Sequence, residues 1–292
     1  MIYVSKGEQE FPFSKGILAR SISRSGLSVK ESYEIVKKIQ GDLQEQEVQI
    51  ISSEELKDKV IEELSKRGLK EEERFYRVRR EIKYLNKPIF VLVGGGPGVG
   101  KSTISLEIGH RLGISRVIGS DTVREIMRSI LSPNLVPTLH ESTFKAMEKL
   151  RTPFVSNKLI YAFREQVSLV SEGLAAVVKR GRKEGLNMVL DGVHLVPGFL
   201  ERSMDELPEN VFRYVLDVPK EDQHAQHFYT REEGSRRDPE RYIDELDSIR
   251  EIHNYILEMA DEAGVMIVEN TDYEDTLRTI LEDIMNGLER KI

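Results

Sequence analysis

The sequence predicts an α/β domain, with a parallel sheet and flanking helices, over residues 88–292, preceded by a small, mostly helical domain over residues 1–87. Three observations carry this. Capping-box helix starts fall early in the chain, continuous apolar runs of strand length recur after Pro88, and amphipathic helical segments separate those runs.

The chain opens on an extended stretch at residues 2–4, then Gly7 and a Phe11-Pro12-Phe13 turn region. Ser28 with Glu31 makes a capping box, after which Val29, Tyr33, Val36, Ile39 and Leu43 recur at helical spacing. Ser52 with Glu55 makes a second box ahead of Leu56, Val60 and Leu64, and Gly68 is the expected stop. Residues 54–87 hold 20 charged side chains in 34, so this stretch reads as a solvated helical connector bounded by Pro88. Beyond it, Ile89-Phe90-Val91-Leu92-Val93 is a run suited to a central parallel strand buried on both faces. Shorter runs of the same character are Val117-Ile118, Met188-Val189-Leu190, Tyr214-Val215-Leu216 and Val265-Met266-Ile267-Val268. A long helix is expected over residues 157–184, with Ile160, Phe163, Val167, Val170, Leu174 and Val177 on one stripe. Strands alternating with helices imply right-handed crossovers.

Composition excludes several classes. No apolar run approaches the ~20 residues of a membrane span. The first residues show no secretory pattern, and zero cysteines remove disulfides, thiolate zinc sites and a cysteine nucleophile. The expectation is a cytoplasmic protein without membrane partners. Net charge is −7; residues 1–87 carry 18 basic and 16 acidic side chains, and the rest 25 and 34. A nucleic-acid binder normally shows a basic surplus on its binding domain, so no nucleic-acid partner is expected. The charge content, 32%, with no Cys or Trp also suits a thermophile's surface.

Directly after the first apolar run stands Gly94-Gly95-Gly96-Pro97-Gly98-Val99-Gly100-Lys101-Ser102-Thr103. Gly95, four residues, then Gly100, Lys101 and Ser102 satisfy the phosphate-loop pattern. Glycines let successive backbone N–H groups turn inward around phosphates, and the following helix adds its positive end. Gly95, Gly96, Pro97, Gly98, Val99, Gly100, Lys101, Ser102 and Thr103 are therefore the candidate nucleotide cradle. Lys101 reaches the β- and γ-phosphates, and Ser102 ligates Mg²⁺. Asp191, closing the Met188-Val189-Leu190 run, is the second candidate metal residue. Its successor is Gly192, not the water-activating Glu common in motor ATPases, which favours transfer to a bound acceptor.

Ser120-Asp121-Thr122-Val123-Arg124 follows the short second run, where ligands gather at the carboxyl ends of strands. Asp121 can take a proton from an attacking hydroxyl, and Arg124 can hold a charged substituent of the same substrate. Arg231, Arg236, Arg237 and Arg241 cluster around Gly234 as a candidate lid, with Arg231 and Arg236 expected to act in catalysis. His224 and His227 lack a completing ligand set and read as surface or packing residues.

Several stretches together resemble the archaeal 2-phosphoglycerate kinase family. They are the phosphate loop, Ile118-Gly119-Ser120-Asp121-Thr122-Val123-Arg124-Glu125-Ile126-Met127-Arg128, Asp191-Gly192-Val193-His194-Leu195-Val196-Pro197-Gly198, the stretch from Arg241 to His253, and Glu269-Asn270-Thr271-Asp272. The likeness spans about residues 88–280. Residues 1–87 resemble an ATP-cone regulatory domain through Val4-Ser5-Lys6, Phe11, Phe13, the helical pair and Tyr76, with Lys6-Gly7 where many cones carry Lys-Arg. The fold implied is a P-loop kinase preceded by an ATP-cone-like domain. The reaction implied is phosphorylation of 2-phosphoglycerate by ATP with Mg²⁺ to 2,3-bisphosphoglycerate, toward cyclic 2,3-diphosphoglycerate. On that reading Asp121 orients the C3 hydroxyl, and Arg124 with Arg128 binds the substrate's anionic groups. The residues alone leave open a nucleotide or another small metabolite as acceptor, or an ATP-sensing regulatory NTPase. They also leave open a homo-oligomer, and which of His140, Ser142, Lys145 and Arg151 line the acceptor pocket.

Overall fold

The computed structural model describes residues 2–150, 156–230 and 239–291. The chain divides into two compact units, one of Met1–Leu85, His110–Gly113 and Met285–Ile292, the other of Asn86–Gly109 and Ile114–Ile284.

The first unit begins with β1 (Tyr3–Lys6), β2 (Gln9–Pro12), α1 (Lys15–Ser23), α2 (Val29–Glu45), β3 (Ile50–Ser52), α3 (Ser53–Lys66) and α4 (Lys70–Glu81). β1 lies between an antiparallel β2 and a parallel β3. The expected turn at Phe11-Pro12-Phe13 is corrected: Lys6 pairs with Gln9, so the reversal falls at Gly7-Glu8, and Phe11 and Pro12 are strand. Pro12 is tolerated because β2 is an edge strand and Pro12 its last residue. Both capping boxes form, with each serine accepting from the N3 amide and each glutamate returning to the serine N–H. α1 carries no such signature, since Ser14 caps Ile17 alone and Gly16 sits in its first turn. Residues 54–87 are more than a solvated connector. Leu56, Val60, Leu64 and Tyr76 join Ile22, Ile35, Val36, Ile39 and Leu43 in one buried cluster, and the charges cover the opposite faces.

The second unit contains β4 (Ile89–Gly94), most of α5 (Lys101–Leu112), β5 (Val117–Gly119), α6 (Ser120–Ile130), α7 (Lys158–Glu184), β6 (Met188–Asp191), α8 (Phe199–Arg202) and β7 (Asn210–Asp217), then α9 (Glu221–Thr230), α10 (Glu240–Ile243), α11 (Leu246–Glu262), β8 (Met266–Glu269) and most of α12 (Tyr273–Glu289). The sheet runs β5-β6-β4-β7-β8 and every pairing is parallel. All six residues of β4 are buried, as the unbroken apolar run requires of a central strand. Phe90 and Leu92 pack with Met188, Leu190 and the α7 stripe at Val170, Leu174 and Val178. Phe163 and Val167, earlier on α7, join a second cluster with Ile249, Ile252 and Ile256 of α11. Asn157 caps α7 through the Ile160 amide, and Gly185 ends it in the left-handed region.

Register is what positions the site. Asp191 stands opposite Val93 of β4 on one side and Gly119 of β5 on the other. The loops leaving β4, β5 and β6 therefore open at one edge of the sheet. No helix among the described residues is long and apolar enough to cross a membrane.

Candidate active site

β4 runs straight into the phosphate loop, and α5 starts at Lys101. Tight packing dictates the glycines. At Gly98 the backbone has φ +85°, and a Cβ there would lie 2.4 Å from Phe228 Cζ. Lys101 is 9% exposed and donates to the Gly96 carbonyl at 2.6 Å, so its ammonium is held within the loop. Ser102 Oγ donates to Asp191 Oδ2 at 2.7 Å, and Asp191 is 5% exposed. A hydroxyl and a carboxylate paired at the mouth of a phosphate loop are hard oxygen donors. They suit Mg²⁺, which takes one or two protein ligands and completes its shell with phosphate oxygens and water. Ser102 and Asp191 are the two metal candidates expected from the sequence, and among the described residues no group of three or more His, Cys, Asp or Glu could hold a metal.

α6 begins immediately after β5, which puts Asp121 in its first turn. Arg124, one turn on, approaches Asp121 Oδ1 at 3.6 Å through Nε and donates to the Glu141 carbonyl through Nη1 at 2.5 Å. Arg128 pairs with Glu125 at 2.9 Å.

One cavity of about 1480 Å³ takes in both ends. Its lining includes Gly98, Lys101, Ser102 and Asp191 on the phosphate side and Asp121, Arg124, Arg128, His140 and Ser142 on the other. A pocket for one small ligand typically occupies ~300–1,000 Å³, so this volume accommodates two. Of the acceptor residues left open by the sequence, His140 and Ser142 line the cavity, whereas Lys145 pairs with Glu245 at 3.0 Å. Arg241 also lines it and reaches Ser142 Oγ at 3.5 Å. Arg151, Arg231, Arg236 and Arg237 lie outside the described residues.

The histidines are corrected. His224 is buried and packs on Phe228, but it and His227 also clasp the phosphate loop, and His227 lines the cavity. His224 Nε2 donates to the Pro97 carbonyl at 2.6 Å, and His227 Nδ1 to the Gly98 carbonyl at 3.0 Å. His253 completes the clasp, its Nδ1 accepting from the Gly96 N–H at 3.2 Å while Nε2 donates to Asp217 Oδ1 at 2.8 Å. Each partner fixes a tautomer, because a carbonyl only accepts and a backbone N–H only donates. Burial lowers the His224 pKa to about 4, so the ring accepts from Arg250 as a neutral imidazole. Behind the clasp, His224 stacks on Phe228 and Phe228 on Tyr242, with centroids 5.5 and 5.0 Å apart, and Tyr242 meets Phe144 of the cavity wall at 5.7 Å. Asn270 closes the loop's far side, donating to the Val99 carbonyl at 2.9 Å. The i, i+4 pair His224 and Phe228 on a buried helix face is the signal that sequence could have offered. The partners, more than 120 residues away, are not legible in it.

A family model described as ATP cone domain matches residues 2–84. The chain is 42% identical to a 2-phosphoglycerate kinase of Thermococcus kodakarensis over 99% of both chains. It is 41% identical to one of Pyrococcus furiosus over 96% of this chain and 91% of that one, and 38% to one of Methanopyrus kandleri over 98% and 88%. Among solved structures it is similar to a shikimate kinase from Acinetobacter baumannii in complex with shikimate, at TM-score 0.42 and 12% identity over 73% of this chain and 98% of that one. A likeness at that level says nothing about the acceptor.

Proposed function

The chain belongs to the 2-phosphoglycerate kinase family, and from that premise we propose that it transfers the γ-phosphoryl group of ATP to the C3 hydroxyl of 2-phosphoglycerate. The O3–P bond forms as the bond from the γ-phosphorus to its bridging oxygen breaks. The products are ADP and 2,3-bisphosphoglycerate, a precursor suited to cyclisation into cyclic 2,3-diphosphoglycerate. The observation that carries the reading is the register of β4, β5 and β6, which brings Lys101, Ser102, Asp191, Asp121 and Arg124 around one cavity with room for two substrates.

The phosphate loop from Gly95 to Thr103 cradles the triphosphate with its amides, and Lys101 leaves the Gly96 carbonyl for the β- and γ-phosphates. Ser102 and Asp191 would hold Mg²⁺, which supplies charge neutralisation at the phosphate oxygens. Asp121 accepts the C3 hydroxyl proton, and Arg124, with Arg128, grips the acceptor's phosphate or carboxylate. Residues 1–87 act as the regulatory domain and 88–292 as the phosphotransfer domain. The −9 balance of residues 88–292 means that two anionic substrates are held by local groups against an unfavourable general field.

The test is phosphorus NMR of products after incubation with ATP, Mg²⁺ and 2-phosphoglycerate. Equal amounts of ADP and 2,3-bisphosphoglycerate are expected. Inorganic phosphate as the sole new phosphorus species apart from ADP would point instead to a regulatory NTPase and overturn the reading.

A further inference from the structure

Three buried side chains join the two ends of the cavity, and the roles above use none of them. His194, in the loop after Asp191, is 1% exposed. Its Nδ1 lies 2.9 Å from Ser120 Oγ and its Nε2 3.1 Å from Gln166 Oε1. Gln166 interrupts the apolar stripe of α7, is fully buried, and donates through Nε2 to the carbonyls of Thr138 at 2.7 Å and Glu141 at 3.1 Å.

One proton arrangement satisfies every atom. Two carbonyls consume the Gln166 amide hydrogens, so its Oε1 can only accept; His194 therefore carries its proton on Nε2, and Nδ1 accepts the Ser120 hydroxyl. Burial lowers the His194 pKa to about 3, which keeps the ring uncharged. The Glu141 carbonyl that receives Gln166 also receives Arg124 Nη1, and Arg124 shares α6 with Ser120. The bonds thus close a ring: the loop after β6, the start of α6, Arg124, the Thr138–Glu141 wall, α7, and back. Its tightest point is Gly192, φ +147°, where a Cβ would fall 1.8 Å from Ser120 Oγ.

A buried ring of this kind is costly to leave incomplete, at about 1–3 kcal/mol for each orphaned polar atom. What it supplies is fixed distance. The loop that follows Asp191 and the helix that carries Asp121 and Arg124 are bonded through the His194 imidazole and Ser120, and the cavity wall is bonded to the same imidazole through Gln166.

We propose that Ser120, His194 and Gln166 are positioning residues that hold the acceptor wall and Arg124 in register with Asp121 and Asp191, so that the acceptor hydroxyl rather than water meets the terminal phosphate of the nucleotide. The proposal rests on the reading of Asp121 and Arg124 as the acceptor end. A misplacement near 1 Å can cost on the order of 10²-fold in rate, which is the scale on which such a ring acts.

Gln166→Glu keeps the shape but presents an acceptor to two carbonyls. Ser120→Ala is the milder variant, deleting one bond with little change in volume. Each is compared with the unaltered chain by steady-state kinetics, varying ATP and 2-phosphoglycerate in turn, and by phosphorus NMR of the split between bisphosphoglycerate and inorganic phosphate. The expected result is a KM for 2-phosphoglycerate raised about tenfold in Gln166→Glu and severalfold in Ser120→Ala. The KM for ATP stays within about twofold, and a larger share of ATP is lost to water. A folded variant whose two KM values move together, or whose product split is unchanged, overturns the proposal. So does failure of both variants to fold, which would make the ring an element of the fold alone. If the unaltered chain makes no bisphosphoglycerate, the acceptor reading fails first; if it does and the variants show no split, only the ring fails.

Discussion

In the first unit the groups that set the helix starts are three residues apart, Ser28 with Glu31 and Ser52 with Glu55. In the sheet unit the groups that shape the site are far apart in sequence. Ser102 meets Asp191 across 89 positions, His224 meets Pro97 across 127, His253 meets Gly96 across 157 and Asn270 meets Val99 across 171. Glycines at two turns of the first unit differ from two at the site in the same way. Gly7 and Gly68 have positive φ and open space around them, whereas Gly98 and Gly192 are pressed against Phe228 and Ser120. The helix starts of one region are specified by local chemistry; the site of the other is specified by what the sheet brings together. The chemistry of the site therefore depends on long-range contacts in the second region, whereas the helix starts of the first depend on short-range ones, although its core also joins distant residues from Ile2 to Tyr76.

The largest expected effect separates the two regions outright. Lys101→Ala removes a cation that meets charge developing in transfer, so kcat should fall roughly 10²- to 10³-fold while the melting of the ATP-cone region is unchanged. Steady-state kinetics with circular dichroism checks both halves, and an unchanged kcat would contradict the site. Asp121→Asn follows, with turnover down on the order of 10²-fold and ATP binding by titration calorimetry unaltered. Full turnover in that variant would remove Asp121 from proton transfer.

One substitution made in each region sharpens the contrast. Gly98→Ala meets both a positive φ and the Phe228 ring 2.4 Å away, so it should cost about 3 kcal/mol or more and weaken ATP binding. Gly68→Ala meets positive φ alone, in open space, and should cost about 1 kcal/mol with no kinetic effect. Equal costs in urea melts would mean that the packing behind the phosphate loop is slack.

These contacts also explain what the sequence made legible. The central strand, the phosphate loop, both capping boxes, the α7 cap and its stripe are all patterns within a few residues, and local physics reads them directly. Asp191 was legible because a carboxylate ending an apolar run stands out. The histidine clasp was not, since nothing near His224 or His227 indicates Pro97 or Gly98. Gln166 left one trace, a polar residue amid buried apolar neighbours on α7, but its partners Thr138, Glu141 and His194 could only be found in space. The strand at Phe11-Pro12 was hidden for a different reason: proline suggests a turn unless the strand is known to lie at an edge.

Acid should divide the regions again. Residues 1–87 contain no histidine, whereas His194 is fully buried in the sheet unit with its pKa lowered to about 3 from 6.5. A folded pKa below the unfolded one means the unfolded chain binds more protons between the two values. The stability contribution of His194 is thus complete above about pH 6.5 and is lost as pH falls toward 3. At pH 5 the loss is about 2 kcal/mol. Glu31 and Glu55, lowered by their bonds to Ser28 and Ser52, keep their contribution until pH falls below the ordinary carboxylate range near 4.5. Between pH 6.5 and 5 the sheet unit should therefore weaken first, seen as loss of amide protection in hydrogen exchange there and not over residues 2–84. Simultaneous loss in both would break the distinction.

The smallest expected effect is the clearest test of local specification. Ser28→Ala removes the side chain that caps the Glu31 amide and receives its carboxylate, at a cost of about 1 kcal/mol. Because α2 packs through Ile35, Val36, Ile39 and Leu43 into the ATP-cone core, the loss should appear as fraying and a lower melting point of that region. The kinetics with saturating substrates should not move, since neither Ser28 nor Glu31 is among the residues lining the active-site cavity. A change in kcat from this one hydroxyl would mean that the first region communicates with the site through its helix start, and that local specification in one unit also sets geometry in the other.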